Sequence, residues 1–248
     1  SLGGAVRFQY AIDVKEGGSS ERTAPSSVEV FTRLQAAAQT VGETSLYNRD
    51  QLPLFADDVW PGSKVLADLL QRPDILAGHV KNRRVVELGA GAALPSVVAT
   101  LLGAIFVCAC DYPADGVVEN IAAVLKHNNV SAEKAIAAGH AWGDDATALL
   151  PGGKYDTALL AELLWKDTVH LHFALITSLL ALLTPGGVAF AAFAHRPTEM
   201  HKPADDLAFF TLAASAGFEV EYLPEVRRYA DVGEAELIAV QVVKMTKV

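Results

Sequence analysis

Two rhythms of apolar and polar positions alternate along this chain, and the switches between them mark out its elements. Short apolar runs at 83–88, 104–111, 135–138, 155–162 and 188–194 predict buried strands, and 218–223 and 236–244 alternate as two more. Helical spacing fills the gaps. Residues 62–77 place Val65, Leu66, Leu69 and Leu70 on one face, and 114–128 do the same with Val117, Val118, Ile121, Val124 and Leu125. A helix over 92–102 follows a glycine pair and carries Pro95 in its first turn. Asp167 is placed to cap a long helix that runs to Leu183 and stops at Thr184-Pro185-Gly186-Gly187. Residues 204–216 form a last helix with Gly217 at its end.

Before residue 59 the pattern is less regular. Residues 8–14 alternate as a strand, 16–27 form a Gly/Ser/Pro-rich loop, and 28–40 fit a helix or a strand running into one. From Trp60 onward strands and helices take turns, which predicts an α/β fold: a parallel sheet with helices on both faces. The last two strands have no helix between them, only polar residues from Glu225 to Ala235, so they should be antiparallel neighbours. The expected fold is a Rossmann-like seven-stranded sheet, mostly parallel, with an antiparallel last strand.

Composition narrows the function classes. The 248 residues are 51% hydrophobic and 20% charged, enough for a sizeable core and incompatible with global disorder. The formal net charge of −9 argues against nonspecific nucleic-acid binding and against an anionic membrane surface. Stretches 88–110 and 168–195 lack Asp, Glu, Lys and Arg, but glycines and prolines break both, so neither is expected to span a membrane. The chain's two cysteines, Cys108 and Cys110, read as buried small hydrophobes in a reducing compartment. The opening SLGGAVRF carries no signal pattern, and a cytoplasmic protein is expected. His170 and His172 are two apart on a helix and face different directions, so no metal site is expected.

The segment VELGAGAALP at 86–95 follows a strand and opens a helix. Gly89 and Gly91 allow a tight turn and a close ligand approach, but Leu94 replaces the third glycine of the dinucleotide fingerprint. Asp111, at the end of the next strand, can accept both hydroxyls of a ribose. Glu87, just before the glycines, would repel a pyrophosphate and attract an α-ammonium group. S-adenosylmethionine has an α-ammonium, a ribose and an adenine, and no phosphate.

Six motifs, in order, carry a family resemblance: VWPGSKVLADLL (59–70), VELGAGAALPS (86–96), CDYPADGVVENI (110–121), HAWGDD (140–145), LLAELLWKDTVH (159–170) and FAHRP (193–197). With these the chain resembles the class I seven-β-strand S-adenosylmethionine-dependent methyltransferases, and within them the lysine methyltransferase group called methyltransferase family 16. The DYP, WG and HRP elements are similar to the branch that modifies the amino terminus and a nearby lysine of translation elongation factor 1-alpha, once described as nicotinamide N-methyltransferase-like.

The resemblance implies an N-terminal extension over 1–58 and a methyltransferase domain over 59–248. It implies cofactor contacts at Trp60, Glu87, Gly89, Gly91, Asp111, Tyr112, Trp142 and Ala161. Glu162 and Trp165 stand where the family has an acidic-x-x-aromatic motif beside the acceptor, with Trp165 in place of the usual Tyr or Phe. His195 ends the fifth strand of the sheet at the ligand-binding edge. The implied activity is methyl transfer to a protein amine. A small-molecule N-methyltransferase with a nicotinamide-like acceptor, and a non-catalytic binding module, are the alternatives. The amine must be neutral to attack, and an apolar aromatic pocket favours that form by desolvation.

Overall fold

The computed structural model describes residues 5–12, 26–33, 58–114, 116–196, 202–230 and 237–248. The central sheet contains β3 (Arg84–Leu88), β4 (Phe106–Asp111), β5 (Ala135–Gly139), β6 (Tyr155–Ala161), β7 (Leu183–Phe193), β8 (Phe218–Ala230) and β9 (Leu237–Lys247). Their spatial order is β5-β4-β3-β6-β7-β9-β8. The β3–β4, β4–β5, β3–β6 and β6–β7 pairs are parallel, and β9 lies antiparallel to both β7 and β8. The seven-stranded, mostly parallel sheet expected from the pattern is therefore observed. Its order reverses between β3 and β6, and ligands of such sheets bind beyond the strand ends at that switch.

The helices are α1 (Pro61–Leu70), α2 (Pro73–Ile75), α3 (Leu94–Leu101), α4 (Val117–His127), α5 (His172–Leu182) and α6 (Pro203–Ser215). Two buried clusters cover the two sheet faces. One joins Val85, Val107 and Leu159 to Leu66, Val97 and Ile121, and the other joins Val86, Cys108 and Leu160 to Leu175, Leu179 and Phe209. Successive strand residues point to opposite faces, so each strand feeds both clusters. No described helix is long and apolar enough to cross a membrane.

Several boundaries differ from the periodic reading. The 62–77 helix is split: α1 stops at Leu70, and Pro73 starts a new turn that passes into π-helical geometry at Leu76–Val80. Pro73 lacks the N–H that a continuous helix needs. Asp167 caps no helix; it pairs with Lys166 Nζ at 2.7 Å, and α5 begins only at His172, after a 3-10 turn at Val169–Leu171. Thr168 closes the intervening turn instead, its hydroxyl oxygen accepting the Trp165 N–H at 2.9 Å. The Pro185-Gly186-Gly187 run lies inside β7, and the pairing register with β6 shifts opposite it. Gly186 there has φ +75°, so the run is a strand irregularity rather than a helix stop.

In the N-terminal region β1 (Ala5–Ile12) and β2 (Ser26–Arg33) form an antiparallel two-stranded sheet. Of the two options for 28–40, its first residues are strand; residues 13–25 and 34–57 lie outside the described residues. The Asn128 side chain, just past α4, accepts from the Glu29 N–H at 3.0 Å and donates to the Glu29 carbonyl at 2.7 Å. Tyr10 and Tyr229 donate to Asp68 on α1, and Arg227 pairs with the same carboxylate at 2.6 Å, so β1, β8 and α1 meet on one side chain.

Candidate active site

Helices α1 and α3 start in the same way. Each has a proline in its first turn, and the residue before it, Trp60 or Ala93, offers no side-chain capping bond. The orphan N–H groups of such a helix start need acceptors. Two glutamates supply them from the ends of neighbouring strands. Glu87 on β3 accepts from the Ser96 N–H at 2.9 Å and from the Ser96 hydroxyl at 2.5 Å. Glu162, just after β6, accepts the Gly62 N–H at 2.9 Å. A carboxylate at either place also meets the positive end of its helix dipole.

The glycine turn lies between β3 and α3. Gly89 and Gly91 both have positive φ, +64° and +49°, and are half-exposed between buried neighbours. A Cβ on Gly89 would lie 2.5 Å from Leu163 Cδ2. Asp111 holds the turn over the end of β4: its Oδ2 accepts the Gly91 N–H and its Oδ1 the Tyr112 N–H, each at 2.7 Å. Burial pushes the Asp111 carboxyl up, and the two N–H donors pull it back. Asp111 and Tyr112 remain half-exposed beside the glycines.

Glu87 is fully buried, not an open ammonium site. Desolvation raises its carboxyl from 4.5 to about 8, against the lowering effect of the Ser96 bonds. Its Oε1 has no hydrogen-bond partner among the described residues. This orphan acceptor under an open glycine turn, with the Asp111 carboxylate alongside, fits the polar nucleoside and amino-acid ends of S-adenosylmethionine.

Beyond β6 the acceptor-side residues come together. Glu162 is 6% exposed and has φ +56°. Its carboxylate also accepts the Ala194 N–H at 3.3 Å and pairs with Arg196 Nη1 at 2.6 Å. Burial pushes this carboxyl up; Arg196, then Gly62 and Ala194, oppose the shift. Trp165 donates its indole N–H to the Glu162 carbonyl at 2.8 Å and packs edge-to-face on Trp60, with ring centroids 5.2 Å apart. The Arg196 guanidinium carbon lies 4.6 Å from the Trp165 ring centroid and 5.4 Å from that of Trp60.

Trp60, expected on the cofactor side, thus shares an aromatic wall with Trp165. Trp142 stands apart, half-buried against the second core, where the Gly143 N–H donates to Ser178 Oγ at 2.9 Å. Ala161 is buried and faces Ala192 across the β6–β7 pair. His195 points Nδ1 at Asp206 Oδ2, 2.6 Å away, and packs edge-to-face on Phe193. Among the described residues no group of three His, Cys, Asp or Glu side chains is arranged to hold a metal. Sequence reasoning missed Ser96, Gly62, Arg196 and Asp206; the first three had a visible signal, their places in the VELGAGAALPS, VWPGSKVLADLL and FAHRP motifs, and Asp206 had none.

Comparison with known proteins agrees with this geometry. A family model described as lysine methyltransferase matches residues 47–215. The protein N-terminal and lysine N-methyltransferase of Schizosaccharomyces pombe is 32% identical over 182 residues, which are 71% of this chain and 69% of that protein. The protein of the same name in Eremothecium gossypii is 34% identical over 224 residues, 84% of this chain and 82% of its own length. Among solved structures, a methyltransferase complexed with SAH superposes with a TM-score of 0.56 at 14% identity, covering 88% of this chain and 53% of that one.

Proposed function

The chain belongs to the lysine methyltransferase family, and from that premise we propose that this S-adenosylmethionine-dependent enzyme methylates a lysine side chain or an amino terminus of translation elongation factor 1-alpha. The naming of its relatives as protein N-terminal and lysine N-methyltransferases supports an amine acceptor on a protein. One structural observation carries the site assignment. The Trp60–Trp165 wall stands directly after the strand that neighbours the glycine turn, and such a wall suits the aliphatic stem and nitrogen of an amine.

When bound, S-adenosylmethionine supplies a methyl group on a sulfonium sulfur, a good leaving group, so no protein nucleophile is needed. Gly89 and Gly91 give the backbone room for it. Asp111 would take the ribose hydroxyls, Tyr112 and Trp142 would flank the adenine, Ala161 would offer backbone contacts, and Glu87, buried beneath the glycine turn, would hold the start of α3 at the amino-acid end. Trp60 and Trp165 align the acceptor, which can contribute several kcal/mol to the rate. Glu162 anchors this wall, and His195, oriented by Asp206, stands on the acceptor side. In this reading residues 1–58 are an extension on a transferase domain over 59–248. A cytoplasmic location is supported by the two free, buried cysteines.

Incubation with radiolabelled S-adenosylmethionine and a cell lysate tests the acceptor. A labelled band identified as the elongation factor is expected. Turnover of nicotinamide with no labelled protein overturns the assignment.

A further inference from the structure

Amine methylation poses an electrostatic problem at this site. The acceptor nitrogen must lose its proton to solvent before its lone pair can form the new bond, and an ionised carboxylate within about 4–6 Å favours the ammonium by about 1–3 pH units. Glu162 stands beside the aromatic wall where that amine is placed. Left alone, it would hold the acceptor in its unreactive form.

Arg196 changes this balance. Its Nη1 lies 2.6 Å from Glu162 Oε2, with the two side chains 16% and 3% exposed. The same guanidinium lies over Trp165 and Trp60 at 4.6 and 5.4 Å, so it is fixed by a carboxylate and two rings together. A guanidinium does not deprotonate in proteins, which makes its charge permanent. Among the described residues, other charged groups on the packed elements include Asp58 and Lys64 flanking Trp60, Asp68 farther along α1 and paired with Arg227 at 2.6 Å, Lys166 paired with Asp167 at 2.7 Å, and His195 paired with Asp206 at 2.6 Å.

Resting on the amine-methyltransferase reading, we propose that Arg196 is a charge-compensating positioning residue: it neutralises Glu162, so that the acceptor amine beside Trp165 loses its proton at a lower pH. The amine does not displace Arg196. An ammonium in that place would be paired with Glu162 and held protonated, the reverse of what transfer needs. Arg196 stays, and Glu162 keeps its task of anchoring α1 without charging the pocket.

The test uses the full chain in five forms: wild type, Arg196→Lys, Arg196→Gln, Glu162→Gln and Arg196→Gln with Glu162→Gln. The first arm needs no activity. In protein labelled with carbon-13 at the glutamate carboxyls, with Glu162→Gln to assign the signal, Glu162 of Arg196→Gln should titrate at least about one pH unit higher than in wild type, because the stabilising cation is gone. An unmoved titration overturns the proposal.

The second arm measures the pH dependence of kcat, which reports groups in the bound complex. The acceptors are lysine-containing decapeptides with free amino termini, each at saturation. The acidic limb should move up by about 1–2 units in Arg196→Gln, stay in place in Arg196→Lys, and return to within about half a unit of wild type in the double variant. A merely structural Arg196 predicts a lower rate with an unmoved limb, or a double variant no closer to wild type than the single one; either result overturns the proposal. Wild type that labels none of these amines at any pH counts against the amine-methyltransferase reading instead, and the titration arm then decides on Arg196 by itself.

Discussion

Replacing Glu87 with glutamine should flatten the pH dependence of stability. Glu87 is fully buried, and desolvation raises its carboxyl from 4.5 to about 8 in the folded chain. A folded-state value above the unfolded one means that the folded chain binds the extra proton throughout that window. Unfolding then releases a proton, so stability falls as pH rises from about 4.5 to about 8. Each pH unit over which the folded chain holds one more proton than the unfolded chain costs about 1.36 kcal/mol, so between pH 6 and pH 8.5 this group loses about 2–3 kcal/mol. The side-chain amide in Glu87→Gln keeps an oxygen to accept from the Ser96 N–H and hydroxyl and has no charge to bury. Urea unfolding of both proteins at pH 6, 7 and 8.5 isolates the effect, because every other titrating group cancels in the difference. The variant should gain about 2–3 kcal/mol on wild type across that interval. Parallel curves would mean that Glu87 is ionised in the folded protein at pH 6, and would refute the reading of its burial.

Four further substitutions probe the site. Gly62→Ala should destabilise by about 1–3 kcal/mol despite the better helix propensity of Ala, measured by urea unfolding, because the added Cβ lies 2.8 Å from Glu162 Cγ and 2.9 Å from the Ala192 carbonyl oxygen. Asp111→Ala should weaken S-adenosylmethionine binding by about 1.5–3 kcal/mol in calorimetry, since it removes the ribose acceptor and the anchor of the Gly91 N–H together. Trp165→Ala should keep cofactor affinity within about threefold, under about 0.7 kcal/mol, and lose most methyl transfer, whereas Trp142→Ala should lose cofactor affinity first; full transfer by Trp165→Ala would make that ring structural only.

The inner strands β3, β4, β6 and β7 were legible because they are buried on both faces and stand out as continuous apolar runs, and the last two because they alternate. The failures have local causes. Asp167 looks like a helix cap, but Lys166 competes for its carboxylate and Thr168 closes the turn. The Pro185-Gly186-Gly187 run looks like a break, yet β7 absorbs it by shifting register against β6. Proline and glycine signal an irregular backbone; they do not say whether a helix ends or a strand bulges there.

The site residues were visible one at a time, but the bonds between them were not. Glu87 and Glu162 drew attention as charges that a ligand would meet. In the fold each closes a helix start whose own cap residue has no side-chain acceptor, across 9 residues of sequence for Glu87 and Ser96 and 100 for Glu162 and Gly62. Such pairings depend on the order of strands in the sheet, which local periodicity does not encode. They also link stability to function. The glutamates that hold α1 and α3 in place border the two halves of the site, and their proton affinity sets how much charge each half carries. At Glu87 burial favours the neutral carboxyl; at Glu162 an arginine balances the charge. The same requirement, a buried acceptor at a helix start without a free negative charge in the pocket, is met by two different means.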